Sequence, residues 1–282
     1  MMIKHYLIAL ILLTWQALCS ADPANLLAIH FFSKTPAQIV TAGMSLPQAE
    51  SVQALYVQRL QQRLGPVVGY KAGLTSPQMQ QHFGIDHPVL GMLLRDMLVD
   101  SGATLSAKFG ARPMAEADLV VRVGDECINN ARDASGALAC LDAVYPFIEL
   151  PDLMYAENLP LNAAAVLAVN VGARFGVLGK PIALQPGPVW EKRLGDFHLE
   201  LLDGKGRPIA LGDGHALLGH PLRAVLWLRD ALRARGQTLH KGQLLSLGAL
   251  TPLVAVTPGM TLRARYTDLA PQGPVEVSVH FQ

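Results

Sequence analysis

Glu116-Ala117-Asp118 opens an otherwise apolar run, Glu116 to Val123 (EADLVVRV). The run reads as a strand, and acids at i and i+2 of a strand project from one face. The fold must therefore carry two carboxylates side by side on a strand that is otherwise core material. A third acid, Glu149, lies in Pro146-Phe147-Ile148-Glu149-Leu150, and Lys71 lies in Gly69-Tyr70-Lys71-Ala72-Gly73-Leu74-Thr75. Three carboxylates make an all-oxygen set for a hard divalent cation such as Mg²⁺. A lysine beside them handles a proton or holds an acidic substrate. The bland alternatives are an exposed strand face for the acids and a surface lysine with a snorkelling stem for Lys71.

The 282 residues are enough for one large domain with a buried core. Hydrophobic residues make up 51% and charged residues 16%, which argues against disorder. Residues 1–21 read as an export signal: Lys4 and His5, the apolar run Tyr6 to Leu18, then Cys19-Ser20-Ala21 with cleavage after Ala21. A membrane anchor is the alternative, although a span needs roughly 20 apolar residues. No later stretch is long and apolar enough to cross a bilayer. Removing residues 1–21 takes away Lys4 and no acid, leaving 22 basic and 22 acidic residues. Such a neutral chain has no electrostatic footprint for nucleic acid. Cys127 and Cys140 remain, to be read as a disulfide or as two separate buried thiols.

Residues 24–64 read as helical, with Leu46 to Leu64 the regular part, stopped by Gly65-Pro66. Val67 to Ala72 is a strand, and Ser76 caps a short helix to Phe83. Residues 84–114 read as loops and short strands. Leu138 to Val144 is expected to be helical, and Ala163 to Leu178 to form buried strands. Asp196 to Leu202 alternates as a strand before a hairpin turn at Asp203-Gly204-Lys205-Gly206. Pro221 to Arg235 is the clearest helix, with His220 at its start, and Gln243 to Phe281 reads as several strands. The result is an α+β fold: a helical N-terminal part, about 24–64, on a strand-rich body, with 22–282 as a single domain.

Five segments match a known family in order: GYKAGLTSPQMQQHFGIDHPVLG at 69–91, PMAEADLVVRV at 113–123, YPFIEL at 145–150, GHPLRAVLWL at 219–228 and GQLLSLGAL at 242–250. On these, the chain resembles the 2-oxopent-4-enoate (2-hydroxypentadienoate) hydratase and 4-oxalocrotonate decarboxylase family, within the wider fumarylacetoacetate hydrolase fold. The resemblance implies Mg²⁺ or Mn²⁺ held by Glu116, Asp118 and Glu149, with Lys71 as the catalytic lysine. It implies a body like the C-terminal domain of fumarylacetoacetate hydrolase, a small 2-oxo acid as substrate and a homo-oligomer. Asn170 and Leu247 are the substrate-binding candidates.

The chain also departs from the family. Val89 stands where hydratases tend to carry an acid, and Ala168-Val169-Asn170 where the family has A-D-N. Ser246-Leu247-Gly248-Ala249 replaces L-T-G-A, so a hydroxyl expected near the substrate carboxylate is lost at Leu247. The resemblance points first to a hydratase working through a metal-stabilised enolate. A decarboxylase of the 4-oxalocrotonate type, or a non-catalytic exported binding protein, is the alternative. A carbon–carbon hydrolase would need a base such as His82, His87, His215 or His220, candidates by type only. No GxSxG, phosphate loop or dinucleotide fingerprint is present. Export implies a periplasmic location, where relatives of this kind are normally cytoplasmic.

Overall fold

Helix ends follow from local chemistry. Ser45 and Gln48 form a reciprocal capping box, with Pro47 in the first turn and Gly65 closing the far end, and Leu46–Leu64 is the longest helix among the described residues. His220 starts Pro221–Ala234: its Nδ1 accepts from Leu222 N at 3.2 Å and its Nε2 donates to Glu191 O at 3.0 Å. The computed structural model describes residues 22–38 and 43–282. The expected export signal, 1–21, lies outside the described residues, and among those no helix is long and apolar enough to cross a membrane.

In chain order the elements are α1 (Pro23–Ser33), α2 (Leu46–Leu64), β1 (Val67–Gly73), α3 (Pro77–Phe83), β2 (Val89–Leu94), β3 (Leu98–Asp100), β4 (Ala103–Leu105), β5 (Met114–Val123), α4 (Ala134–Ala139), β6 (Leu141–Leu150), α5 (Ala163–Ala168), β7 (Phe175–Leu178), β8 (Ile182–Ala183), α6 (Pro188–Asp196), β9 (His198–Leu202), β10 (Pro208–Asp213), α7 (Pro221–Ala234), β11 (Leu244–Ala249), β12 (Val254–Ala255), β13 (Thr261–Thr267) and β14 (Val275–Phe281). The larger sheet runs β2-β1-β11-β5-β6-β7-β3, with β12 on β5 and β8 on β6. Its β1–β11 and β3–β7 pairs are parallel. The smaller sheet runs β10-β9-β13-β14-β4.

Alternation along β5 divides its side chains between two environments. Leu119, Val121 and Val123 enter the main core, with Leu199, Leu262 and Val277 of the smaller sheet and Leu222, Val225 and Leu228 of α7. Each such side chain contributes about 1.5–3 kcal/mol on burial. Val120, on the other face, joins Tyr145 and Phe147 of β6 in a separate apolar cluster. The helical part makes a third cluster, where Leu27, Tyr56, Leu60 and Leu167 meet Val89 and Leu94 of β2. Tyr266 of the smaller sheet reaches the β5–β6 pair. Its hydroxyl accepts from Phe147 N at 3.1 Å and lies within bonding distance of the Asp118 and Phe147 carbonyls.

Two expected elements differ. Leu138 to Val144 is not a helix: α4 ends at Ala139, and β6 begins at Leu141. β6 is buried on both faces, so its middle, Ala143 to Ile148, is a continuous apolar run without strand alternation. Ala163 to Leu178 is not all strand: it holds α5, a tight turn at Asn170–Gly172 and only then β7. Three alanines open α5 and favour helix, and Asn162 caps them, its Oδ1 accepting from Ala165 N at 2.8 Å.

Cys127 and Cys140 form a disulfide, with Cα atoms 5.8 Å apart and a sequence separation of 13. A bridge closing a loop of this length contributes about 3 kcal/mol, chiefly by restricting the unfolded chain. Replacing both cysteines by serine is expected to lower unfolding stability by about that amount, with the far-ultraviolet spectrum unchanged. Urea denaturation measures it; equal stability would contradict the assignment.

Candidate functional site

The register of the larger sheet places the acids and the lysine. Lys71 on β1 pairs with Ser246 on β11, and Ser246 pairs with Val120 on β5. On β5 and β6, Glu116 pairs with Glu149 and Asp118 with Phe147. Lys71, Ser246, Glu116, Asp118 and Glu149 therefore share the face that carries the Val120–Phe147 cluster, opposite the main core.

Lys71 is 3% exposed, and so is Glu149. The Lys71 ammonium forms an ion pair with the Glu149 carboxylate and donates to Val171 O at 3.0 Å. The lysine stem crosses β2 at Gly91, where a Cβ would stand 2.7 Å from Lys71 Cγ; only glycine admits it. Asp118 is fully buried. It accepts from Ser246 Oγ, from Gly248 N at 3.0 Å and from its neighbour's amide, Leu119 N.

One ammonium thus serves three carboxylates in a poorly solvated place. Desolvation, then the charge of Glu149, hold the Glu116 carboxyl well above its ordinary value, against the pull of Lys71. Desolvation and the Glu149 charge likewise raise Asp118, against its bonds from Ser246 and Leu119.

The two substrate-binding candidates, Asn170 and Leu247, have other engagements in the structure. Leu247 cannot offer its side chain to a ligand on this face: it is fully buried in the main core. Strand alternation turns its neighbour Ser246 to the acids instead. Both polar atoms of the Asn170 amide are engaged. Its Oδ1 accepts from Met92 N at 2.8 Å and from Gln53 Nε2 at 3.2 Å, and its Nδ2 donates to Met92 O at 2.8 Å. Asn170 thus anchors β2 and the turn whose Val171 carbonyl accepts from the Lys71 ammonium. Sequence reasoning misses Ser246 as a partner of Asp118, because the bond depends on a register between segments 128 residues apart.

The three acids are neighbours but not a ready ligand set. Among the described residues, no group of three acidic, histidine or cysteine side chains stands arranged to hold a metal. Asp118 is engaged by Ser246 and Gly248, and Glu149 by Lys71. The donor chemistry nevertheless fits a hard divalent cation: oxygens only, with Asp118 and Glu149 buried, Glu116 half-buried, and three acids to one lysine.

Comparison with known proteins agrees with this chemistry. No protein-family model matches the chain. It is 32% identical over 198 residues to 2-keto-4-pentenoate hydratase of Paraburkholderia xenovorans (strain LB400), covering 70% of this chain and 71% of that one. It is 29% identical over 198 residues to 4-oxalocrotonate decarboxylase of Pseudomonas putida, covering 69% and 71%. Among solved structures, 4-oxalocrotonate decarboxylase from Pseudomonas putida G7, complexed with magnesium and adipate, superposes with a TM-score of 0.79 at 26% identity, covering 94% of this chain and 99% of that one. Fumarylpyruvate hydrolase from Pseudomonas aeruginosa, with a TM-score of 0.53 at 17% identity over 76% of this chain and 89% of that one, shares the fold alone.

Removing one member of a buried ion pair costs about 3–5 kcal/mol. Lys71→Met is expected to destabilise the metal-free protein by that order in urea denaturation; an unchanged midpoint would contradict the pairing. The raised acids give a second expectation. A carboxyl whose value is raised by folding stabilises fully below its ordinary value, 4.5 for Glu116 and 3.8 for Asp118, and loses that contribution as pH rises through the folded value. The stability of metal-free Glu116→Gln relative to wild type is therefore expected to improve as pH rises from about 4. A difference that falls with pH would contradict it.

Proposed function

The chain belongs to the family of 2-keto-4-pentenoate hydratases and 4-oxalocrotonate decarboxylases, and from that membership we propose that it adds water to a small 2-hydroxydienoic acid through its 2-oxo form. It is an enzyme, a lyase dependent on a divalent metal ion. Magnesium or manganese would be the ion, and Glu116, Asp118 and Glu149 would hold it. The buried Lys71–Glu149 pair beside Glu116 carries the proposal. When bound, the ion supplies Lewis-acid stabilisation of the negative charge that builds on the 2-oxo oxygen during enolisation.

The chain's own residues supply the rest. Lys71 holds a proton at Nζ, in a buried place where a lysine serves either as proton donor or as a charge for an acidic substrate. Val171 O and Glu149 fix its direction. Val120, Tyr145 and Phe147 give the same face an apolar lining that limits bulk water. A binding protein without turnover is not favoured, because the relatives are enzymes.

Wild type is expected to consume 2-hydroxypenta-2,4-dienoate only with Mg²⁺ or Mn²⁺ present, losing activity to a chelator and regaining it on metal addition. Lys71→Met is expected to lose about a hundredfold or more in kcat. Turnover that survives chelation, or a wild-type rate in Lys71→Met, would sink the assignment. Carbon dioxide release from 4-oxalocrotonate without hydration would move it to the decarboxylases.

Export and self-association are part of the same proposal. The apolar run after Lys4 supports export, as does the Cys127–Cys140 disulfide, a bond that persists in oxidising compartments such as the periplasm. A reporter fused to residues 1–25 should leave the cytoplasm; retention there would remove this element. Exposed Ile209 and Leu211 on the edge strand β10 support self-association. A monomer by sedimentation would remove that element.

A further inference from the structure

We propose that Thr75 is a substrate-binding residue whose hydroxyl donates to a carboxylate oxygen of the 2-oxo acid. The inference rests on the function proposed above and deepens it. Thr75 follows β1, two residues beyond Gly73 and four beyond Lys71. Its side chain is only 5% exposed. It presses on Gly248, where a Cβ would stand 2.6 Å from Thr75 Cγ2 and 2.7 Å from its Oγ1. Gly248 is also the residue whose amide binds Asp118, at 3.0 Å. Thr75 therefore borders the acid cluster through Gly248.

Its placement is enforced. Leu74 has a φ of 54°, a left-handed conformation that costs a branched side chain about 1–3 kcal/mol. Gln80 Nε2 donates to Leu74 O at 3.0 Å and holds that turn. Ser76 caps α3 immediately afterwards. A strained residue, a side-chain clamp and a helix cap thus fix one threonine facing inward.

The threonine hydroxyl then has nothing to bind: it makes no hydrogen bond among the described residues. The neighbouring polar groups are committed: Ser246 Oγ to Asp118, the Asn170 amide to Met92 and Gln53, and Thr251 Oγ1 to Ala117 N at 3.0 Å. The hydroxyl is not sealed off either: among the described residues the fully buried side-chain polar atom without a partner is Arg193 Nε, so Thr75 Oγ1 stays open to a ligand that supplies an acceptor. An ionised carboxylate is such an acceptor, with no proton of its own to clash.

The test is calorimetric titration of oxalate, a mimic of the enolate, into the Mn²⁺-loaded full chain. Thr75→Val keeps the packing on Gly248 and removes the hydroxyl; Thr75→Ser keeps the hydroxyl. Thr75→Val is expected to weaken oxalate by about tenfold or more, with Mn²⁺ affinity in the absence of oxalate unchanged. Thr75→Ser is expected to stay close to wild type. Wild-type oxalate affinity in Thr75→Val would overturn the proposal. So would a loss of Mn²⁺ affinity in Thr75→Val equal to its loss of oxalate affinity, which marks a packing role. Failure of the wild type itself to bind Mn²⁺ would instead remove the metal-dependent reading on which the proposal stands, and the proposal with it.

Discussion

The buried ion pair between Lys71 and Glu149 is the constraint around which the larger sheet is organised. Its partners come from β1 and β6, two strands separated by β11 and β5. A buried pair is tolerated only if its remaining polar groups are satisfied, since each unpaired charge costs several kcal/mol. That requirement accounts for much of the local structure. Gly91 opens space for the lysine stem, and the Asn170–Val171 turn presents a carbonyl to the ammonium. Asn170 in turn holds that turn against β2. The helical N-terminal part completes the arrangement through Gln53, whose amide reaches both Leu90 O, at 2.7 Å, and Asn170.

The acid next in line is held differently. Asp118 has one methylene fewer than glutamate and bonds Ser246 and Gly248 on the adjacent strand. Glu116 and Glu149, opposite one another on β5 and β6, are the longer-armed pair. The face therefore combines one short acid tied to its own sheet with two longer ones around a single ammonium. A surplus of carboxyl oxygens over a single ammonium suits a divalent cation by donor type.

Much of this is legible in the amino-acid sequence. The i, i+2 acids announce a shared face, and Lys71 and Glu149 stand out with them. Capping chemistry marks α2, α3 and α7 closely, because those signals are local. The illegible features are long-range or masked by burial. β6 and α5 are buried nearly all round, so neither shows the periodicity that separates strand from helix. Asn170 and Leu247 are candidates by position in a motif, but their directions depend on strand pairing that no local pattern encodes. The commitment of Asp118 to Ser246, and the pressing of Thr75 on Gly248, follow from the same β1–β11–β5 registers.

The central claim is that these acids and this lysine form one metal-dependent centre. Calorimetric titration of Mn²⁺ into wild type, Glu149→Gln and Lys71→Met tests it most directly. The account predicts that wild type binds Mn²⁺ and that Glu149→Gln loses at least about tenfold in affinity, the loss of one charged donor. Lys71→Met should bind as well as wild type or better, since the ammonium competes for Glu149. A wild type that binds no Mn²⁺, or a Glu149→Gln variant that binds it equally well, would contradict the account.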